Sequence, residues 1–212
     1  MAEPAFIWDL DGTLIDSYPA IVPSAVQTCT ELGLAYTDDY VHEYVIRTSV
    51  GTLLREVAAS LGLEPEPVIE RFNRLSDSRI DRIRPMPHAV EAVERLHRAG
   101  CRHFIYTHRG ASSFTVLERI GLMPFFTEVL TAQSGFPRKP EPDALVHLVR
   151  KYALDPERCY YVGDRSLDVE AARRAGIRSI LYLDPSAPGR STGQEDLLVE
   201  DLRRIPEHFG MS

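Results

Sequence analysis

Apolar residues along this chain fall into two kinds of run. The first is short and continuous, and it ends abruptly in a polar residue. Ala5-Phe6-Ile7-Trp8 ends in Asp9, Arg102-His103-Phe104-Ile105-Tyr106 in Thr107, and Glu128-Val129-Leu130 in Thr131. Cys159-Tyr160-Tyr161-Val162 ends in Gly163-Asp164, and Ser179-Ile180-Leu181-Tyr182-Leu183 in Asp184. Runs of this length with no polar alternation predict strands buried on both faces, as in a parallel sheet. The second kind has helical spacing. Ala89, Val90, Val93 and Leu96 precede Gly100, and Phe114, Leu117 and Ile120 precede Gly121. Leu145, Leu148 and Val149 form a third stripe, and Ala171, Ala172 and Ala175 before Gly176 a fourth. Glycine just past each of three stripes is a helix stop signal. Strands alternating with helices predict βαβ units, hence an α/β fold with a doubly wound parallel sheet.

Between Asp16 and about Arg84 this alternation stops. Leu53, Leu54, Val57, Ala58 and Leu61 form one helical stripe, and Val68, Ile69, Phe72 and Leu75 another. Ser17 is placed to cap a helix with Pro19 in its first turn, and Pro23 then predicts a kink or a later start. The segment reads as a helical insertion after the first strand, with Pro85 and Pro87 marking the return to the sheet. The predicted organisation is a core of residues 1–15 and 85–212 and a helical domain of residues 16–84. Pro185 to Gly193 is the best loop candidate, and a short acidic segment follows it. No internal repeat is visible.

Composition narrows the functional classes. The 212 residues carry a net charge of −7, which disfavours nucleic acid as a partner because backbone-phosphate binding needs a basic face. No apolar run is long enough to span a membrane. The N-terminus lacks a basic stretch before its apolar run, which argues against a secretory signal. Cys29, Cys101 and Cys159 are odd in number and widely spaced, so free thiols in a reducing, cytoplasmic compartment are expected. Lysine is scarce: Lys139 and Lys151 are the only two, and arginine supplies the other 22 of 24 basic residues.

Candidate chemistry collects at predicted strand ends. Asp9-Leu10-Asp11-Gly12-Thr13, Thr107, Lys139, Asp164 and Asp168 all lie there, and open parallel sheets bind ligands outside the carboxyl ends of their strands. Clustered carboxylates repel unless a cation joins them. Oxygen-only donors suit a hard ion, and Mg²⁺ held by few carboxylates together with a substrate phosphate fits best. A threonine hydroxyl and a lysine charge complete a set suited to phosphoryl transfer. Trp8 points to the other face of its strand from the carboxylates and reads as core.

The order of these motifs resembles the haloacid dehalogenase superfamily, in the subgroup that includes phosphoglycolate phosphatase and β-phosphoglucomutase. Asp9-Leu10-Asp11-Gly12-Thr13 matches its DxDGT motif, Thr107 its second, Arg138-Lys139-Pro140 its third and Gly163-Asp164-Arg165-Ser166-Leu167-Asp168 its GDxxxD. The resemblance spans about residues 5–184 and implies a Rossmann-like core with a helical cap. It implies Asp9 as nucleophile, forming an aspartyl-phosphate, and Asp11 as general acid and base. It implies Mg²⁺ on Asp9, the backbone carbonyl of Asp11, and Asp164, with Asp168 acting directly or through water. Thr107 would hold the phosphoryl group and Lys139 would balance charge. The dehalogenases of the group lack the second Asp of the first motif, so Asp11 favours phosphate esters. Both lysines lie outside the cap segment, against a phosphonate-cleaving Schiff base. Ile21 lies where the mutase relatives carry a cap-entry histidine, against a phosphomutase, which stays as the alternative. The other alternative is a phospho-Asp signalling domain of receiver type, disfavoured by a first-strand Asp and a large insertion.

The resemblance therefore predicts a cytoplasmic phosphatase, monomer or homodimer, acting on a small phosphorylated metabolite. Arg47, in the segment Arg47-Thr48-Ser49-Val50-Gly51, is a candidate grip for a second anionic group on the substrate. His108 and Arg109 are candidates at the entrance, with His108 placed as a phosphate contact.

Overall fold

The computed structural model describes residues 3–185 and 191–211. The chain divides into two compact units, one of Met1–Asp16 with Pro85–Ser212 and one of Ser17–Arg84.

The first unit begins with β1 (Ala5–Trp8) and the two-residue β2 (Ile15–Asp16). The second unit holds four helices, α1 (Tyr18–Glu31), α2 (Asp38–Arg47), α3 (Val50–Ser60) and α4 (Pro65–Asp77). The first unit resumes with the end of β3 (Arg84–Pro85) and then alternates regularly. Helix α5 (Ala89–Arg98) leads to β4 (Arg102–Tyr106), and α6 (Ser112–Arg119) to β5 (Phe126–Leu130). Helix α7 (Asp143–Lys151) leads to β6 (Cys159–Gly163), and α8 (Ser166–Ala175) to β7 (Arg178–Tyr182). Strand β8 (Leu197–Val199) and α9 (Arg204–His208) complete it.

Six strands form one sheet in the order β5-β4-β1-β6-β7-β8, and every pairing is parallel. The chain runs outward from β1 through β4 to β5, then returns and runs the other way from β6. That reversal puts a topological switch point beside β1, where doubly wound sheets open a crevice at the strand ends. The register aligns Trp8 with Ile105 on one side and Val162 on the other. Asp9, Thr107 and Asp164 therefore leave three adjacent strands at nearly the same level.

Alternation along the strands splits the core in two. Ile7, Phe104, Tyr106 and Tyr161 pack with Leu145 and Leu148 of α7 and Ala171 and Ala172 of α8. On the other face Phe6 stacks with His103 and meets Phe209 edge-on, and the fully buried Trp8 donates its Nε1–H to His103 Nδ1 at 3.1 Å. The three cysteines are buried free thiols.

Four details depart from the sequence reading. Helix α1 begins at Tyr18 and includes Pro23, so it has no later start, and Ser17 makes no side-chain cap; its buried Oγ lacks a hydrogen-bond partner. Helix packing holds α1 together despite the one backbone bond that a proline removes: Ile21, Val22, Ala25 and Cys29 sit in the apolar centre of the helical unit. Strand β5 is not buried on both faces, because it is an edge strand with Thr127 exposed. Strand β8 and α9 have no counterpart in the sequence reading. The loop predicted at Pro185 to Gly193 is no departure where it is described: residues 186–190 lie outside the described residues, and the N–H groups of Thr192 and Gln194 both donate to Glu195 Oε2 in irregular chain.

Candidate functional site

The site is built from the turn that follows β1. The backbone N–H of Asp9 still donates to Val162 O at 2.8 Å, so its position belongs to the sheet. Beyond it the chain folds tightly: the Leu10 carbonyl accepts from the N–H groups of Leu14 and Ile15, each at 3.0 Å. Gly12 has φ +84°, and a Cβ there would collide with the Asp164 carboxylate. Glycine is thus required twice over, by conformation and by space. Gly163 is required by space alone, since a Cβ there would strike the Asp168 side chain. These two glycines let three acidic side chains crowd one point.

Lys139 lies at the centre. Its ammonium is fully buried and donates to Asp168 Oδ1 at 2.7 Å, with Asp9 Oδ1 2.9 Å away. It also lies 5.6 and 5.5 Å from the ring centres of Tyr106 and Tyr161, whose faces add cation–π attraction. Asp168 is doubly engaged, because its Oδ2 also accepts the Arg165 N–H at 3.1 Å, at the start of α8. Asp164 Oδ1 accepts the Thr13 hydroxyl at 3.2 Å.

Carboxylate oxygens of Asp9, Asp164 and Asp168 lie within 4.8 Å of one another. Burial raises the carboxyl groups of Asp9 and Asp164 above the usual range, and the charge of Asp168 pushes both the same way; Lys139 and Arg165 oppose it. Asp9 Oδ2 is buried without a hydrogen-bond partner, and Arg165 Nη2 stands 3.9 Å from it. An orphaned carboxylate oxygen among crowded acidic groups fits a small hard cation, which would supply the missing partner and favour the ionised forms.

The other predicted residues are placed as follows. Thr107 is buried, and its Oγ1 accepts the Arg109 N–H at 3.1 Å. The carboxylate of Asp11 is turned to Arg109, with Oδ1 to Nη1 at 3.0 Å, and is not in the acidic trio. His108 Nε2 accepts the backbone N–H of Lys139 at 2.8 Å. Burial, with the charges of Lys139 and Arg138, pushes that imidazole down to about 2, so it stays neutral and its lone pair is committed. Arg47 belongs to the helical unit, in the last turn of α2, where it pairs with Glu43 and is largely exposed. Three partnerships escaped the sequence reading: Arg109 with Asp11, Arg165 beside Asp9, and the tyrosine rings flanking Lys139. Arg165 occupies a variable position of GDxxxD, and Arg109 pairs across 98 residues, so spacing signals neither.

Residues 6–182 match the model of the haloacid dehalogenase-like hydrolase family. The chain belongs to that family, and its relatives place it among the phosphoric monoester hydrolases. A phosphoglycolate phosphatase of Vibrio vulnificus (strain YJ016) is 30% identical over 93% of this chain and 92% of its own length. One from Vibrio cholerae serotype O1 is 30% identical over 94% of each. A crystal structure of a predicted phosphoglycolate phosphatase from Haemophilus somnus 129PT superposes with a TM-score of 0.80 at 22% identity, over 98% of both chains, a likeness of fold.

Proposed function

We propose that this protein is a Mg²⁺-dependent phosphatase that hydrolyses a small phosphate monoester through an aspartyl-phosphate on Asp9. The observation that carries this reading is the state of Asp9: one oxygen faces the Lys139 ammonium and the other is buried without a hydrogen bond, beside Asp164 and Asp168. A carboxylate so fixed is prepared to attack an incoming phosphorus atom. Asp9 forms the new P–O bond as the ester P–O bond breaks, and Asp11 gives a proton to the departing alkoxide. Asp11 then takes a proton from water, which attacks the same phosphorus and releases phosphate with Asp9 restored. Thr107 and neighbouring N–H groups hold the transferred phosphoryl oxygens, and Lys139 balances the charge that gathers on them.

Mg²⁺ would be held by Asp9, Asp164 and the backbone carbonyl of Asp11; when bound it neutralises phosphate charge in the transition state. The two engaged oxygens of Asp168 support a role in fixing Lys139 and reaching the ion through water. The single lone pair of His108, already given to the Lys139 N–H, supports an anchoring role for that residue. The segment 16–84 serves in this reading as a cap that restricts the site to small substrates, with Arg47 as a candidate contact.

Two relatives named phosphoglycolate phosphatase make phosphoglycolate the first compound to test. Phosphate release is measured from a panel of phosphorylated metabolites with Mg²⁺ and with EDTA. Turnover that needs Mg²⁺ and vanishes in Asp9→Asn is expected. A near wild-type rate in that variant overturns the covalent assignment.

A further inference from the structure

We propose that Arg165 sets the metal affinity of this site: its guanidinium opposes a cation on Asp9 Oδ2, so that Mg²⁺ binds weakly alone and tightly together with a phosphate group. The inference rests on the phosphatase reading and deepens it, by giving a task to a residue that the GDxxxD motif leaves variable. Arg165 Nη2 stands 3.9 Å from the buried Asp9 oxygen that has no hydrogen bond, and the arginine side chain is only 18% exposed. Its backbone is fixed at the start of α8, where the Arg165 N–H donates to Asp168 Oδ2 at 3.1 Å. Its charge favours the ionised forms of both Asp9 and Asp164 against their burial. The guanidinium is therefore beside the oxygen that a metal would take, close enough to act on it and too far to hydrogen-bond it.

Lys139 is placed differently. Its ammonium is engaged with Oδ1 of Asp9 and Oδ1 of Asp168, on the other side of the nucleophile. Charge counting gives the direction of the effect. Asp9, Asp164 and Asp168 carry three negative charges when ionised, and Lys139 and Arg165 return two. A divalent ion thus overshoots neutrality, and a phosphate dianion brings the balance back. Mg–O bonds are about 2.0–2.1 Å, so an ion on Asp9 Oδ2 lies no more than about 6 Å from Arg165 Nη2. Repulsion between a divalent and a unit charge at about 6 Å amounts to about a tenfold loss of affinity, even with the dielectric of water. A phosphate that meets both cations replaces that repulsion with attraction to each. By linkage, metal and phosphate then tighten each other's binding by the same factor.

Binding of Mg²⁺ is followed by calorimetry, alone and with saturating inorganic phosphate, for the wild type, Arg165→Gln and Arg165→Lys. Arg165→Gln is expected to bind Mg²⁺ alone about 10-fold more tightly than the wild type. Arg165→Lys keeps the charge and should stay close to the wild type. Phosphate should tighten Mg²⁺ binding in the wild type and do so less in Arg165→Gln. A Kd for Mg²⁺ alone that is unchanged or higher in Arg165→Gln overturns the proposal. So does an Arg165→Lys variant that gains as much as Arg165→Gln, since packing rather than charge would then be at work. If Arg165→Gln does not fold, the wild type decides: Mg²⁺ that binds equally well with and without phosphate overturns the proposal. These outcomes leave the phosphatase reading standing. A wild type that binds no Mg²⁺ in either condition, with turnover untouched by EDTA, sinks that reading and this inference together.

Discussion

The two units bury different chemistry. In the sheet unit the buried set includes Asp9, Asp168 and Lys139 with Thr13, Thr107 and His103. In the helical unit the buried polar residues are Ser17, Ser24, Thr28 and Ser76, all hydroxyls. Ser24 and Thr28 donate to carbonyls one turn back in α1, at 2.7 and 2.8 Å, so their protons are satisfied within the helix. Ion pairs of the helical unit stay near solvent: Arg71 meets Glu31 at 2.7 Å with both side chains about two-fifths exposed. Burying an ion is costly unless its partners are well placed. The protein meets that cost at the candidate site, where Asp9, Asp168 and Lys139 partner one another. The helical unit needs only a packed apolar centre of Leu53, Leu54, Val57 and Phe72.

The contrast can be broken at several points. The largest effect is expected from Asp9→Asn, which should lower kcat by about 10⁴-fold or more, as loss of a nucleophile does. Thermal melting with EDTA should show the fold retained, because the substitution removes a repelling charge from a crowded site. Lys139→Met should lower stability by about 3–5 kcal/mol, measured by urea unfolding in EDTA, since Asp9 and Asp168 lose their shared cation. Leu54→Ala in the helical unit should cost about 2–5 kcal/mol through a cavity, and Mg²⁺ binding followed by calorimetry should be unchanged.

A smaller effect separates buried imidazoles from exposed ones. Burial, with His97 beside it, pushes His103 down from 6.5 to about 3. The folded form then resists a proton that the unfolded chain accepts. Its contribution is whole above about 6.5 and drains away as pH falls towards about 3. His103→Gln keeps an acceptor for Trp8 and should flatten the stability slope between pH 6 and 4 by about 1 kcal/mol per pH unit. Arg47→Gln is expected to change stability by less than about 0.5 kcal/mol, as exposed pairs do. A rise in KM with unchanged kcat in that variant would mark Arg47 as a substrate contact.

The sheet was legible because burial on both faces leaves an unbroken apolar run, and β1, β4, β6 and β7 all carry one. Strand β8 was not, since three residues with Leu198 exposed carry no period. The helical stripe of Leu53, Leu54, Val57 and Ala58 was legible through its 3.6-residue spacing, and all four are buried in α3. The side-chain caps Thr37 and Ser49 went unread, being single hydroxyls among many. At the site, the residues that crowd together were found from motif order. Their partners were not, because a contact such as Arg109 with Asp11 is decided by which strand ends the sheet brings side by side.

Lysine scarcity and the burial of Lys139 have a practical corollary. Of the chain's two ε-amines, one is sealed between aspartates and tyrosine rings, while the Lys151 side chain is 47% exposed at the end of α7. Amine-reactive dyes, biotin esters and cross-linkers should therefore find a single lysine address on the native molecule. A label at that lysine leaves the proposed nucleophile untouched.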